Sequence, residues 1–319
     1  TLPIGTLLLN NESQVDSGHI TNKSFKYIAT DANGIKNIFI KRPNSTFELY
    51  TSNTLVSGTD GNYIFKAIDN AGNVSYESHI YYDKTLPIGE IYLNDGSIVN
   101  NGHMTNQAFK YNASDIGGIE KLEIKRPSGS YENYVENTLV TGSIGMYLFR
   151  AIDKAGNMSN ERYVFYDDIK PVITIIAGEN EVESGAIINT YNFRVNVSDV
   201  GTGIETFEYI CPGSTEYEPC STSSYLYLEG NYAFRAIDKA GNISPVVTVT
   251  LDKTPPILTL KADSTPIQTG LVINALNVKA EAIDNVSGVE RIEYKLLGSD
   301  NFMPYTPNTL IAEEGKYEF

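Results

Sequence analysis

The sequence has no tryptophan, two cysteines, three histidines and four methionines in 319 residues. Each scarcity excludes something. His19 and His103 occupy equivalent places in two copies of a repeat, in Ser-Gly-His-Ile-Thr-Asn and Asn-Gly-His-Met-Thr-Asn, where the other copies carry Ala186 and Leu271. A position that accepts Ala and Leu fills a loop, and no Ser, His and Asp grouping accompanies it, so a catalytic role is not expected. Cys211 and Cys220 fall close together and cannot frame the whole chain. No apolar run approaches the roughly 20 residues that span a bilayer, and Thr1-Leu-Pro is not a signal peptide, so any targeting or anchoring segment is expected outside these residues. Cations are also short, 24 Lys and Arg against 39 Asp and Glu, for a net charge of −15 spread along the chain. A polyanion is repelled and meets no basic stripe, which excludes nucleic acid as a partner.

What is plentiful is 22 Tyr, 12 Phe, 26 Gly and 13 Pro, a composition of short strands and turns. One stretch recurs. Tyr147-Leu-Phe-Arg-Ala-Ile-Asp-Lys-Ala-Gly-Asn-Met-Ser159 is repeated from Tyr63 to Ser75 and from Tyr232 to Ser244, and Tyr317-Glu-Phe319 begins a fourth copy. The starting tyrosines are 84, 85 and 85 residues apart, which makes the chain a tandem array. The Pro-bearing stretches Asp83-Lys-Thr-Leu-Pro87, Asp168-Ile-Lys-Pro171 and Asp252-Lys-Thr-Pro-Pro256 read as short, stiff linkers, because proline fixes φ and cannot carry a ladder across a junction. The expected repeats are residues 1–84, 85–168, 169–253 and 254–319, the last ending within its sixth strand.

In the second repeat, alternation predicts strands over 88–93, 108–113, 119–125, 131–135, 138–140, 146–153 and 158–166. Seven short antiparallel strands in about 85 residues describe a two-sheet sandwich of immunoglobulin type. A tyrosine two residues before a core position marks the corner into strand F, so Tyr147 turns the chain, Phe149 fills the core and Arg150 faces water. Strand C follows the same parity: Ile38, Leu122, Phe207 and Ile292 face the core, as do Ile40, Ile124, Tyr209 and Tyr294. Ile68, Ile152 and Ile237 are apolar at outward parity and are expected under the junction with the preceding repeat.

The pattern Tyr-x-Phe-x-Ala-x-Asp-x-Ala-Gly-Asn-x-Ser, followed by Asp-Lys-Thr-x-Pro, resembles the tandem bacterial Ig-like repeats of large cell-surface and secreted proteins, adhesins among them. The resemblance covers the whole chain. It implies an all-β chain of tandem immunoglobulin-like β-sandwich domains in an elongated rod, located outside the cell. Four units at roughly 40 Å each would reach on the order of 150 Å. The implied function is a non-enzymatic stalk that spaces a binding or anchoring element from the cell, with an unknown protein or glycan ligand bound elsewhere. The alternative is a set of accessory, carbohydrate-binding modules of a secreted multidomain enzyme.

Two readings are open for the recurring acids. Asp115, Asp199 and Asp284 end strand B, Asp153 and Asp238 end strand F, and Asp83, Asp167, Asp168 and Asp252 lie in the linkers. In this topology all three sets share one pole. Each acid can accept hydrogen bonds from its own turn, with Gly at positive φ and Asn completing it. Alternatively, a trio such as Asp83, Asp115 and Asp153 suits structural Ca2+, a hard cation needing six to eight oxygen ligands, although Lys84, Lys170 and Lys253 stand ready to neutralise them. Some repeats of the resembled family bind calcium. For Cys211 and Cys220, a disulfide across a hairpin loop is expected, with two thiols as the alternative. Tyr131, Tyr134, Tyr217, Tyr225 and Tyr227 either cover a strand surface or stack on sugars. The Asn-x-Ser sequons, such as Asn157-Met-Ser159, belong to the turn.

Overall fold

A computed structural model describes residues 1–190, 193–222, 226–273, 278–307, 309–311 and 315–319. Regular structure in it is entirely strand, and among the described residues no helix is long and apolar enough to cross a membrane. The chain divides into two compact units, Thr1–Asp168 and Ile169–Phe319.

The first unit opens with β1 (Ile4–Leu9), β2 (Gln14–Val15), β3 (His19–Thr21), β4 (Phe25–Thr30), β5 (Ile35–Lys41), β6 (Phe47–Tyr50), β7 (Gly61–Asp69) and β8 (Ser78–Tyr82). These form a three-stranded sheet, β2-β1-β4, and a five-stranded sheet, β3-β8-β7-β5-β6. The second copy repeats the plan with β9 (Ile88–Leu93), β10 (Ile98–Val99), β11 (His103–Thr105), β12 (Phe109–Ser114), β13 (Ile119–Lys125), β14 (Tyr131–Tyr134), β15 (Gly145–Asp153) and β16 (Arg162–Tyr166). Its sheets are β10-β9-β12 and β11-β16-β15-β13-β14.

The second unit follows suit. Its first eight strands are β17 (Val172–Ala177), β18 (Asn180–Val182), β19 (Ala186–Ile188), β20 (Phe193–Ser198), β21 (Ile204–Ile210), β22 (Glu218–Pro219), β23 (Gly230–Asp238) and β24 (Val247–Leu251). Then come β25 (Ile257–Ala262), β26 (Thr265–Ile267), β27 (Val278–Ile283), β28 (Ile292–Leu296), β29 (Met303–Tyr305) and β30 (Tyr317–Glu318).

Against the pattern of alternation, β9, β12, β13, β14 and β15 lie within a residue of expectation at each end. Two expected strands shrink. Residues 138–140 contribute one bridge, Val140 to Phe109, and Met158 makes a lone bridge to Ile152 before β16 starts at Arg162. That bridge also shows what covers Ile152: its own turn. Two short strands escaped alternation altogether, β10 and β11, because two or three residues hold no period. β11 runs parallel to β16 with His103 opposite Val164, so the histidine opens an edge strand instead of sitting in a loop.

Tyr147, Phe149 and Ala151 are buried on one face of β15. Phe109 meets Tyr147 edge-on at 5.2 Å, and Tyr111 stacks on Phe149 at 4.9 Å. Such ring pairs each add about 1 kcal/mol to the area they bury. Tyr147 Oη donates to the Ser143 carbonyl at 2.9 Å, and Tyr63 and Tyr232 do the same four residues upstream, so the corner is as the sequence implied. Gly145 must be glycine for two reasons: its φ is +136°, and a Cβ there would come within 2.9 Å of Pro127. Tyr134 is buried, contrary to its expected place outside the core, because its Oη accepts from the Tyr111 N–H at 3.0 Å and donates to the Thr138 carbonyl at 2.5 Å. Tyr50 and Tyr305 repeat that staple.

One pair of positions covaries inside the chain. Tyr111 lies against Gly89 so closely that any Cβ on Gly89 would overlap its hydroxyl, and Tyr27 lies likewise against Gly5. In β17 and β20 the same positions hold Ile173 and Val195, a large residue where the glycine was and a smaller one where the tyrosine was. Core volume is conserved by exchange across the two strands.

Candidate metal centre

The site grows from the end of β15. Asp153 caps the following turn: its Oδ1 accepts the Asn157 N–H at 2.8 Å and its Oδ2 accepts the Asn157 side-chain amide at 2.8 Å. Asp69 with Asn73, and Asp238 with Asn242, make the same two bonds. Ser159 then receives the Ala151 N–H on its hydroxyl at 2.9 Å, which pins the turn back on its strand. The Asp, Asn and Ser of the recurring motif therefore each have a folding task first.

In the first unit the turn has a second task. Asn157 donates to the Asp83 carbonyl at 2.9 Å and accepts from the Asn22 side chain at 3.0 Å, while the Asn22 N–H donates to the Ala155 carbonyl at 3.2 Å. Asn22 directly follows β3, so the first repeat presents an amide seat into which the second repeat's turn is set. The linker is clamped beside it. Asp60 accepts the Lys84 N–H at 3.0 Å and the Thr85 hydroxyl at 2.5 Å. Those bonds, led by the one from Thr85, hold Asp60's carboxyl below the usual range. Thr85→Val is expected to cost about 1 kcal/mol, read as faster hydrogen exchange at the Asp83 and Thr85 amides with the Phe65 amide unchanged.

This docking brings Asp83 from the linker, Asp115 from the end of β12 and Asp153 together, with one carboxylate oxygen of each within 4.8 Å of the others. Asp83 and Asp153 are buried and Asp115 is half-buried. Asp83 Oδ1 accepts from Thr85 N–H, but among the described residues its buried Oδ2 has no donor. Asp115 Oδ1 takes the Gly117 N–H at 2.7 Å, and a Cβ on Gly117 would overlap Asp83 Oδ2. Burial first, and then the charges of Asp115, Asp153 and Asp60, push the Asp83 carboxyl above its ordinary pKa. No ion pair reaches any of the three acids among the described residues, and Lys84 instead lies over the Tyr82 ring at 5.7 Å. A buried anionic oxygen without a donor, next to two more carboxylates, fits a hard divalent cation such as Ca2+, with water completing the shell.

The other expected ligands are placed as follows. Asp167 is buried and its N–H pairs with the Thr105 carbonyl, while Asp168 is exposed and lies 3.4 Å from the Tyr166 hydroxyl. Asp199 caps its own loop through Gly201 and Gly203, and Asp238 caps its turn. Asp252 and Asp284 share one donor, the Ser287 N–H, at 3.0 Å each. Sequence reasoning missed Asn22 and Asp60. Their spacing was visible, but only docking reveals what they bind.

Cys211 and Cys220 carry thiols, not the expected disulfide. The ladder pairs Tyr209 with Glu218 and Glu208 with Pro219, and the Cys220 N–H bonds to Phe207, which leaves the two cysteines four positions apart along one face. That offset is roughly 13 Å, about twice what a disulfide spans. The tyrosines are occupied too. Arg150 lies 3.8 Å above the Tyr131 ring and Arg235 lies 3.7 Å above Tyr217, each arginine held by a glutamate, Glu123 or Glu208. Burial and the bond to Glu161 push Tyr131 up to about 12. One face of each of these two rings is therefore covered by a cation. Tyr227 is exposed, and Tyr225 lies outside the described residues.

No protein-family model matches the chain. No curated protein matches it either. Solved structures similar to it include fibronectin(III)-like modules of Clostridium thermocellum CbhA, at 16% identity over 50% of this chain and 92% of that one, TM-score 0.26. The sialic-acid-binding region of a Streptococcus sanguinis adhesin matches at 11% identity over 81% and 80%, TM-score 0.20. A Bacteroides ovatus protein of a mixed-linkage glucan utilization locus, solved with a heptasaccharide, matches at 15% identity over 76% and 67%, TM-score 0.16. These neighbours are all-β modules and bacterial adhesin or glycan-binding regions.

Proposed function

We propose that the chain is a non-enzymatic spacer segment of a bacterial surface protein, and that Ca2+ held by Asp83, Asp115 and Asp153 stiffens the joint within residues 1–168. The observation that carries this reading is the buried, donorless Asp83 Oδ2 at a joint built from a linker and two turns. The residues of the recurring motif are spent on folding and docking, which is what a spacer needs from a repeat. The ion would neutralise three acids that otherwise repel one another across the joint.

The expected results have opposite signs with and without the ion. Asp83's folded pKa lies above its unfolded value, so the ion-free fold binds the proton better than the unfolded chain does. Stability of the ion-free chain therefore falls as pH rises from the ordinary carboxylate range through Asp83's raised pKa, and stays reduced above it. In chelator at pH 7, Asp83→Asn raises the melting temperature of the first unit. In Ca2+ the wild type is the more stable, and the variant no longer responds to the ion. Equal Ca2+ responses from the two proteins would remove the site. Distance distributions between unnatural-residue labels at positions 48 and 132 test the spacer role: they narrow in Ca2+, and a broad distribution in both conditions speaks against it.

A further inference from the structure

In each repeat strand C carries a short strand on one side, and that strand is the edge of its sheet: β6 beside β5, β14 beside β13, β22 beside β21 and β29 beside β28. One ladder pair at this edge sets the repeats apart. It is Glu123 with Asn133 in the second repeat, Glu208 with Pro219 in the third and Glu293 with Pro304 in the fourth, but Phe39 with Leu49 in the first. Leu49 is 69% exposed.

The direction of Leu49's main-chain groups follows from β7. The Ala67 N–H donates to Ser75 Oγ and the Ala67 carbonyl accepts the Ser75 N–H, both at 2.9 Å, so Ala67 turns its bonds away from β5. Bonding direction alternates along a strand, so its partner Ile38, and with it Ile40, bonds toward β6. Tyr50 and Glu48 opposite them bond back to β5, and Phe47 and Leu49 direct their N–H and carbonyl groups to the open side. The third repeat agrees, since Cys220, at the place of Tyr50, donates its N–H to the Phe207 carbonyl at 2.8 Å. Pro219 and Pro304 therefore remove an N–H that would reach an added strand, and Asn133 leaves a polar edge; both guard a sheet against pairing with another. The first repeat lacks the guard.

We propose that β6 is the edge through which two copies of this chain pair, antiparallel, about a two-fold axis at Leu49. There the two Leu49 residues exchange N–H···O=C bonds, each Glu48 lies opposite the other copy's Tyr50, and no like charges stand directly opposed. Phe39 and Leu49 of each copy then form one apolar row across four strands. A second copy is the occupant this edge fits, because an isologous contact needs a residue that is its own complement, as leucine is. The guards point to the same partner: they stand at the equivalent position of the other repeats, where like edges of two copies would otherwise meet. The contact is small and each copy carries a net charge of −15, so the dimer is weak and tightens as salt rises.

Sedimentation of the full chain over a concentration series is expected to show a monomer–dimer equilibrium, with the Leu49 amide exchanging more slowly as the dimer fills. Leu49→Pro copies the guard of the third and fourth repeats. It is expected to weaken dimerisation at least about tenfold, the loss of two main-chain bonds at the axis, with exchange at the Phe65 amide unchanged. Leu49→Lys keeps the N–H, in case proline loosens β6, and sets two cations against each other at the axis. Its dimer is expected to weaken by a similar factor and to recover in part at high salt. Asp83→Asn is expected to dimerise as the wild type does, in chelator and in Ca2+ alike, which separates the fate of this edge from that of the metal centre. A chain that stays monomeric at every concentration, even one whose β6 edge takes up an unrelated extended peptide, overturns the proposal, as does a dimer indifferent to both Leu49 variants.

Discussion

Gly89→Ala is expected to destabilise the second repeat by about 3 kcal/mol, the upper end of what overpacking a core costs. The added methyl overlaps the Tyr111 hydroxyl, and neither party has room to retreat. Gly89 is paired in the ladder with Ala113, and Tyr111 is itself held by its N–H to the Tyr134 hydroxyl and by its stack on Phe149. Hydrogen exchange at the Ile91 and Tyr111 amides is the suitable measurement, since a multi-repeat chain does not give one global unfolding free energy. Their exchange should quicken by about a hundredfold. The third repeat supplies the control. Replacing the pair together, Gly89→Ile with Tyr111→Val, reproduces Ile173 and Val195, and the double variant should be at least about 1 kcal/mol more stable than the sum of the two single costs. A Gly89→Ala protein with unchanged exchange would show that the two strands part freely, and the volume-exchange argument would be lost.

Asn157→Ala is the second large effect, also about 3 kcal/mol, because one buried amide serves the turn, the linker and the neighbouring repeat at once. Its loss breaks bonds to Asp153 Oδ2, the Asp83 carbonyl and the Asn22 amide, and leaves buried groups without partners. Asn73→Ala supplies the comparison. Asn73 is half-buried and its side chain is bonded to Asp69 Oδ2, so about 1 kcal/mol is expected from the turn alone. The difference between the two variants measures docking. In Asn157→Ala the Asn22 N–H and side chain should exchange freely and the Ca2+ response of the first unit should weaken, because Asp153 is no longer held toward Asp83. Equal costs at Asn73 and Asn157 would mean that the turn is everything and the seat is nothing.

Much of this was legible in one dimension. The period of the motif, the parity of Tyr147, Phe149 and Arg150, and the proline of the linkers depend only on local geometry, and they gave the strands, the core face and the tyrosine corner. The acids were legible as a set for the same reason: Asp115 and Asp153 end strands whose loops share a pole. Cys211 and Cys220 show where local reasoning fails. Nearness in sequence suggested a bridge, yet the register of β21 and β22, set by which residues face the core, puts the two thiols four positions apart.

What the sequence by itself determined is the array and the sandwich, since alternation and turn chemistry act over a few residues. Tertiary structure alone decided which of the equivalent acids differ. Asp83 and Asp252 are the same residue in the same linker motif, but Gly117 offers its N–H to Asp115 and leaves Asp83 Oδ2 without a donor, whereas Ser287 gives its N–H to Asp252. A single backbone amide, aimed by the length of one loop, separates a candidate cation site from a satisfied turn.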